Sequence, residues 1–281
     1  MQVAADAPKR PALRYYGGKF KLAPWIISHF PKHLNYVEPC CGACSVLLQK
    51  PRSPLETVND LDGNVVNFFR VLRDQPDELI RKIKLTPWAR AEYELSLQSC
   101  DDAVEKARRF FTQCWMGLNA STVVSAATAG FRVWRENDTR EKLLFFDDIE
   151  TIANRLLGVQ IESRNALEII NKCANKDSLI YFDPPYVEET RTKNDWYGID
   201  WNGDDLHTES ADLLRTCAGY VVVSGYACPL YTELYEAHGW HRVDKEAQTN
   251  SGGKRVESLW LSPRTWRALQ HDVSDLPMFA A

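Results

Sequence analysis

Leu179-Ile180-Tyr181-Phe182-Asp183-Pro184-Pro185-Tyr186 sets a short strand-forming run directly against a carboxylate, two prolines and an aromatic ring. The first four residues read as a buried strand. Proline lacks the N–H that a ladder needs, so the strand ends at Asp183 and the backbone beyond it is stiff. Ligands of open α/β sheets bind at the carboxyl ends of strands. The stretch therefore puts a carboxylate (Asp183), a carbonyl (Pro184) and a ring (Tyr186) at the mouth of a cleft. That set suits an amino group on a flat heterocycle: Asp183 and the Pro184 carbonyl accept its two hydrogens while Tyr186 stacks on the ring. An aromatic amine is a poor nucleophile because its lone pair is delocalised. Holding both hydrogens favours a tetrahedral nitrogen whose lone pair faces an electrophile. A strand-ending turn with a capping Asp explains the same residues, since Pro-Pro is common punctuation.

Working outward, short apolar strands alternate with helical stretches at both ends of the chain, which predicts an α/β sheet. Asn35-Tyr36-Val37 reads as a strand ending at Glu38-Pro39, followed by a tight turn through Gly42 and a helix around Ser45–Leu48. Glu56-Thr57-Val58 reads as a second strand ending at Asn59-Asp60, with a helix across Val65–Leu72. Strands recur at Val159-Gln160-Ile161 and Tyr220–Val223. His241–Val243 and Val256–Leu261 suggest a closing antiparallel pair. Between Asp77 and Leu157 no strand pattern emerges; Glu78–Ile83, Ala91–Leu97, Ala103–Trp115 and Glu141–Leu157 look helical. The chain thus reads as a sheet domain, 1–76 and 158–281, interrupted by a helical insertion, 77–157, longer than a connection needs. Arg108, Arg109, Arg132, Arg135, Arg140, Trp115 and Trp134 give the insertion a basic and aromatic tone.

With 281 residues, 44% hydrophobic and 26% charged, the chain is long and apolar enough to bury a core without staples. No apolar run approaches the ~18–20 residues that span a bilayer, and Met1–Tyr16 has no secretory core. The expectation is a soluble, cytoplasmic protein that does not enter a membrane. A net charge of −4 excludes coating of nucleic acid by bulk charge, but not a local basic groove. Lys9, Arg10, Arg14, Lys19, Lys21 and Lys32 face Asp6 alone in the first 32 residues, whereas Asp195, Asp200, Asp204, Asp205, Glu209 and Asp212 outnumber Arg215 near residues 195–216. The eight cysteines include one C-x-x-C, Cys41 and Cys44, with no second pair at zinc spacing. Reduced thiols and no metal are the better reading.

Three further blocks bear on chemistry. Val37-Glu38-Pro39-Cys40-Cys41-Gly42-Ala43-Cys44-Ser45 is a strand, turn and helix start, where a cofactor can approach the backbone near a helix N-terminus. A glycine in such a turn also serves packing alone. Asp60 ends the next strand, the position from which a carboxylate reaches a ribose diol in nucleotide-binding sheets. With equal weight, Asp60 or Asp62 simply caps the following helix. Arg14-Tyr15-Tyr16-Gly17-Gly18-Lys19 lacks the upstream glycine spacing of a phosphate loop, which removes an ATPase reading.

Together these blocks, over about residues 12–262, resemble the DNA adenine-N6 methyltransferases of the Dam family, with the cofactor motif first, the recognition insertion next and the catalytic motif last. Asn250–Trp260 looks like that family's final hairpin. The resemblance implies a Rossmann-like methyltransferase sheet, mostly parallel with a C-terminal antiparallel hairpin, and S-adenosylmethionine as cofactor. By matching position it makes Asp183, Pro184 and Tyr186 catalytic. Tyr15, Lys19, Glu38, Asp60, Asn165 and Asp183 become the cofactor set. Tyr15 stands against the cofactor, Lys19 near its methionine carboxylate, Asp60 at its ribose. Two departures stand out. Cys44 replaces the second glycine of the family's turn, which places a side chain near the methionine moiety, in a position read as one of close approach rather than necessarily of positive φ. Asn165-Ala166 stands where the family has Asp-Phe near the cofactor adenine.

The implied reaction is methyl transfer to N6 of adenine in double-stranded DNA, by in-line displacement without metal or covalent intermediate, after the base is flipped to Asp183 and Tyr186. Arginines of the insertion would reach phosphates and guanine edges. The implied setting is the cytoplasm of a bacterial or phage-infected cell, with restriction–modification among its roles. An RNA adenine methyltransferase, a DNA cytosine-N4 methyltransferase and a catalytically silent DNA-binding protein remain as alternatives, the last kept open by Cys44.

Overall fold

The computed structural model describes residues 1–118, 130–133, 147–190, 204–248 and 254–274. Seven strands form one sheet: β1 (Asn35–Glu38), β2 (Leu55–Asn59), β3 (Gln160–Glu162), β4 (Ser178–Phe182), β5 (Tyr220–Gly225), β6 (His241–Gln248) and β7 (Lys254–Leu261), in the order β3-β2-β1-β4-β5-β7-β6. The first five run parallel, and β7 lies antiparallel between β5 and β6. This is the sheet, and the closing hairpin, that the sequence predicts. Every residue of β4 is buried, as a central parallel strand covered on both faces requires. From β1 the chain winds outward to β2 and β3, then returns to place β4 on the other side of β1. That reversal opens a crevice at the carboxyl ends of β1 and β4, and their last residues lead into Pro39 and Asp183.

The helices are α1 (Ala23–Ser28), α2 (Ser45–Gln49), α3 (Gly63–Asp74), α4 (Pro76–Leu85), α5 (Arg90–Ser96), α6 (Ala103–Met116), α7 (Asp147–Leu156), α8 (Ala166–Cys173), α9 (Asp205–Thr216), α10 (Pro229–Leu234) and α11 (Pro263–Ser274) among the described residues. Asp62 caps α3 and Asp102 caps α6 through their side chains, each worth about 1 kcal/mol. The predicted helix over Glu141–Leu157 is described only from Asp147. The acidic stretch after Arg191 and the Asn250–Gly253 turn fall wholly or partly outside the described residues.

The helical block is continuous with the sheet domain. Phe110, Phe111 and Trp115 of α6, with Ile149, Ile152 and Leu156 of α7, share one core with Phe68, Phe69 and Leu72 of α3. Phe68 and Phe111 stack at 5.9 Å and 17°, a geometry worth about 0.5–1.5 kcal/mol beyond the area buried. Arg155 of α7 grips Glu56 of β2 with two bonds of 2.6 and 2.8 Å, and Lys50 joins them at 2.7 Å. Burial opposes the Glu56 charge, yet bonds from Arg155 and Lys50 outweigh it and hold its pKa below the usual carboxylate range. Burial pushes Lys50 down to about 8.

Two expectations about this block are corrected. Arg108 is buried, bonded to Glu105, Glu92 and Thr86, and Arg109 binds Glu105 and the carbonyls of Gln98 and Ser99. Neither is offered to a phosphate or a base, because Glu105 lies three and four residues upstream on the same helix face. Trp115 is a core residue whose indole N–H donates to the Ala12 carbonyl. Trp134, Arg135 and Arg140 lie outside the described residues. The cysteines are all free, four of them buried.

Candidate active site

At the crevice an open cleft, about 850 Å³ counting the solvent space at its mouth, is lined by Tyr15–Lys19, Glu38–Ala43, Ser45, Val46, Asn59–Asp62, Ala166 and Asp183–Pro185. Five segments far apart in sequence converge there because β1, β2, β3 and β4 end at the same edge.

The β1–α2 turn supplies one wall. Gly42 has φ +45°, and a Cβ there would crowd the Tyr15 ring at 3.3 Å, so both backbone and neighbour favour glycine. Its N–H donates to Asp60 Oδ2 at 2.8 Å, and the Asp62 N–H donates to Asp60 Oδ1 at 2.9 Å. Asp62 Oδ1 meanwhile accepts the Asn64 N–H at 2.9 Å, and Asp62 Oδ2 accepts the Tyr15 hydroxyl at 3.0 Å. The two carboxylates thus divide the work that the sequence left open: Asp62 caps α3, and Asp60 braces the turn and faces the cleft. Burial raises the Asp60 pKa, against the two donated N–H bonds. Burial also raises Tyr15, with Asp62 and Asp60 adding to it.

Cys44 departs from what its position suggested. It has φ +52° and ψ 29°, so the site does require the left-handed region. Its side chain is fully buried in the core, and it alone of Cys40–Val46 does not line the cleft. The thiol therefore points into the core and away from the cleft. Asn165 also sits elsewhere: its Oδ1 accepts the Leu167 N–H at 2.9 Å to cap α8, while Ala166 lines the cleft.

Glu38 closes the floor, 2% exposed. Its Oε2 accepts the Tyr36 hydroxyl at 2.9 Å and the Leu47 N–H at 3.3 Å. Burial pushes its pKa up to about 8 against the Tyr36 bond, and the Asp183 charge adds to the rise.

Asp183 stands at the centre. Lys19 Nζ lies 2.9 Å from its Oδ2, and Ser224 donates to its Oδ1 at 2.6 Å. Lys19 also donates to the Gly17 carbonyl at 2.9 Å and sits 4.7 Å from the Tyr186 ring centroid. One ammonium therefore makes both contacts expected of a target amine, the carboxylate and the aromatic face. Tyr186 itself is 5% exposed and lies outside the cleft lining. Its hydroxyl donates to Glu257 at 3.0 Å, and its ring meets Tyr226 edge-on at 4.6 Å. Arg255 donates to the Tyr226 hydroxyl at 2.9 Å, so β7 anchors both tyrosines. Ser224, Tyr226, Arg255 and Glu257 were not singled out from sequence. A polar residue ending the apolar run Tyr220–Val223 was the available signal for Ser224.

Asp60, Asp62 and Asp183 against the single ammonium of Lys19 among the lining residues make a cleft suited to a ligand bearing positive charge and hydroxyl groups. These features fit the sulfonium, ammonium and ribose diol of S-adenosylmethionine.

The model of the D12 class N6 adenine-specific DNA methyltransferases matches residues 15–249 of the chain. Similar proteins include a type II methyltransferase of Lactococcus lactis subsp. cremoris, 26% identical over 89% of this chain and 94% of that protein. A DNA adenine methylase of Salmonella typhimurium is 24% identical over 89% and 94%. A DNA adenine methylase of Vibrio cholerae is 27% identical over 66% and 68%.

Proposed function

This chain belongs to the D12 class N6 adenine-specific DNA methyltransferase family, and we propose that the crevice between β1 and β4 is where it methylates adenine N6 in DNA, with S-adenosylmethionine as donor. When bound, that cofactor supplies an electrophilic methyl group on a sulfonium. Asp60 would hold the ribose hydroxyls, Glu38 and Lys19 the methionine end, and Tyr15 the wall beside it. Asp183 and the Pro184 carbonyl would accept the amine hydrogens, turning the nitrogen lone pair toward the methyl. The single observation that carries this reading is the Asp183 carboxylate, fixed at a stiff strand end within the cleft that also holds Asp60 and the Gly42 turn.

A base inside a duplex cannot reach the end of β4, so the target adenine leaves the stack. Lys19 then yields its place on Asp183 and Tyr186. The 77–157 block is the proposed reader of sequence, through Arg132, Arg135 and Arg140 rather than Arg108 and Arg109. The silent-scaffold reading rested on Cys44 obstructing the cleft, and the buried orientation of that side chain removes its support. Among the described residues no helix is long and apolar enough to cross a membrane, and we place the enzyme in the cytoplasm. Methyl incorporation on matched DNA and RNA, followed by nucleoside analysis, tests the proposal. N6-methyldeoxyadenosine is the expected product; N4-methylcytosine, or RNA as the better substrate, would overturn it.

A further inference from the structure

We propose that Ser224 is the positioning residue that fixes the Asp183 carboxylate, and that the buried Tyr181 hydroxyl directs Ser224. The inference rests on the reading of Asp183 as the amine acceptor. In the parallel pair of β4 and β5, Tyr181 lies opposite Val222 and Phe182 opposite Val223. One step further brings Asp183 beside Ser224 where both strands end. Side chains alternate along a strand, so Tyr181 and Asp183 stand on one face of β4, with Ser224 on the same face of β5. The hydroxyl of Ser224 reaches Asp183 Oδ1 at 2.6 Å and lies 3.1 Å from the Tyr181 hydroxyl.

Proton inventory gives this chain a direction. The Asp183 carboxylate, ion-paired to Lys19, only accepts, so Ser224 donates to it. Ser224 has one proton, so Tyr181 must donate to Ser224. The Phe182 carbonyl, 3.5 Å from the Ser224 oxygen, lies at the outer limit of hydrogen bonding and competes weakly. Ser224 is 2% exposed and Tyr181 fully buried, which keeps water from substituting for either donor. With Oδ1 held on the strand side, Oδ2 faces the cleft, where Lys19 now meets it. A carboxylate free to turn about its Cβ–Cγ bond would present that acceptor for only part of the time. Pinning it supplies orientation before the amine arrives.

The test compares single-turnover methyl transfer, cofactor affinity and DNA affinity in Ser224→Ala, Ser224→Thr and Tyr181→Phe, each checked for folding. Ser224→Ala should lower the transfer rate about ten- to a hundredfold, less than the ~10²–10³ of a donor lost from the reacting atoms because Ser224 acts through Asp183, with both affinities within about twofold. Ser224→Thr keeps the hydroxyl and should recover most of the rate, whereas Tyr181→Phe should cost about two- to fivefold. Added to Asp183→Ala, the Ser224→Ala change should cost nothing further. A folded Ser224→Ala with a wild-type rate, a loss confined to affinity, or a full extra loss on top of Asp183→Ala would overturn the assignment. An Asp183→Ala enzyme that keeps its rate would instead sink the functional reading itself, so the two failures are distinguishable.

Discussion

The end of β4 and the face of α6 both present charged residues that sequence alone could assign to function, and they behave in opposite ways. Asp183 is delivered to a cleft by backbone constraint: a buried strand, two prolines and a topological reversal leave its carboxylate one place to go. Arg108 and Arg109 ride a helix whose Glu105 lies within reach of both, and they fold back to it. A charge at a strand terminus is positioned by topology, whereas a charge on a helix is positioned by its neighbours at i−3 and i−4. Motifs of the first kind carry function further from sequence than composition of the second kind.

The comparison can be broken at either end. On the sheet side, Asp60→Ala should weaken cofactor binding about ten- to a hundredfold, the loss of a charged acceptor at ~1.5–3 kcal/mol. Asp62→Ala, which also releases the Tyr15 hydroxyl, should weaken binding by no more than about threefold and cost ~1 kcal/mol of lost capping. Calorimetric titration beside thermal melting separates the pair, and equal binding losses would dissolve the division of roles. On the helix side, Arg108→Ala should destabilise the fold by about 2 kcal/mol, removing the bonds to Thr86 and Glu105 and leaving Glu92 without its partner, without changing the salt dependence of DNA binding. A shallower salt slope would return Arg108 to the DNA surface.

Glu38 offers a pH probe. Its folded pKa is raised from 4.5 to about 8, so the folded chain holds the proton more tightly. Its stabilising contribution is full below pH 4.5 and is lost as pH rises through about 8. Glu38→Gln removes this titration, and wild type should lose melting temperature relative to the variant by about 5–10 °C (~3 kcal/mol) between pH 5 and 8. Parallel curves would mean that Glu38 is not held protonated. The smallest effect belongs to Cys44→Gly. Relief of the left-handed backbone offsets the lost buried thiol, so stability should shift by less than about 1 kcal/mol. Cofactor affinity should stay within about twofold, because the side chain faces the core. A hundredfold gain would show an obstructed cleft.

Much of this architecture was legible in sequence, for identifiable reasons. The strands ending at Glu38, Asn59 and Phe182 are short apolar runs stopped by proline or polar residues, and sheet order follows from the resemblance they carry. Asp60 and Lys19 reached the cleft because strand ends and a glycine-flanked turn admit few alternatives. Cys44 and Asn165 were misplaced for a shared reason. A motif position states where the backbone passes but not which way a side chain turns, so one went into the core and the other to a helix cap. Ser224 escaped notice because its partner lies on the neighbouring strand, and register across β4 and β5 is a tertiary fact.

The most direct test of the central claim is single-turnover methyl transfer to adenine-containing duplex DNA by Asp183→Ala, with its melting temperature and cofactor affinity measured on the same preparation. The variant should fold, still bind the cofactor and transfer methyl at least about a hundredfold more slowly, the scale of one lost oriented acceptor. A folded variant within tenfold of wild type would show that the amine is held elsewhere and that the end of β4 is only a turn.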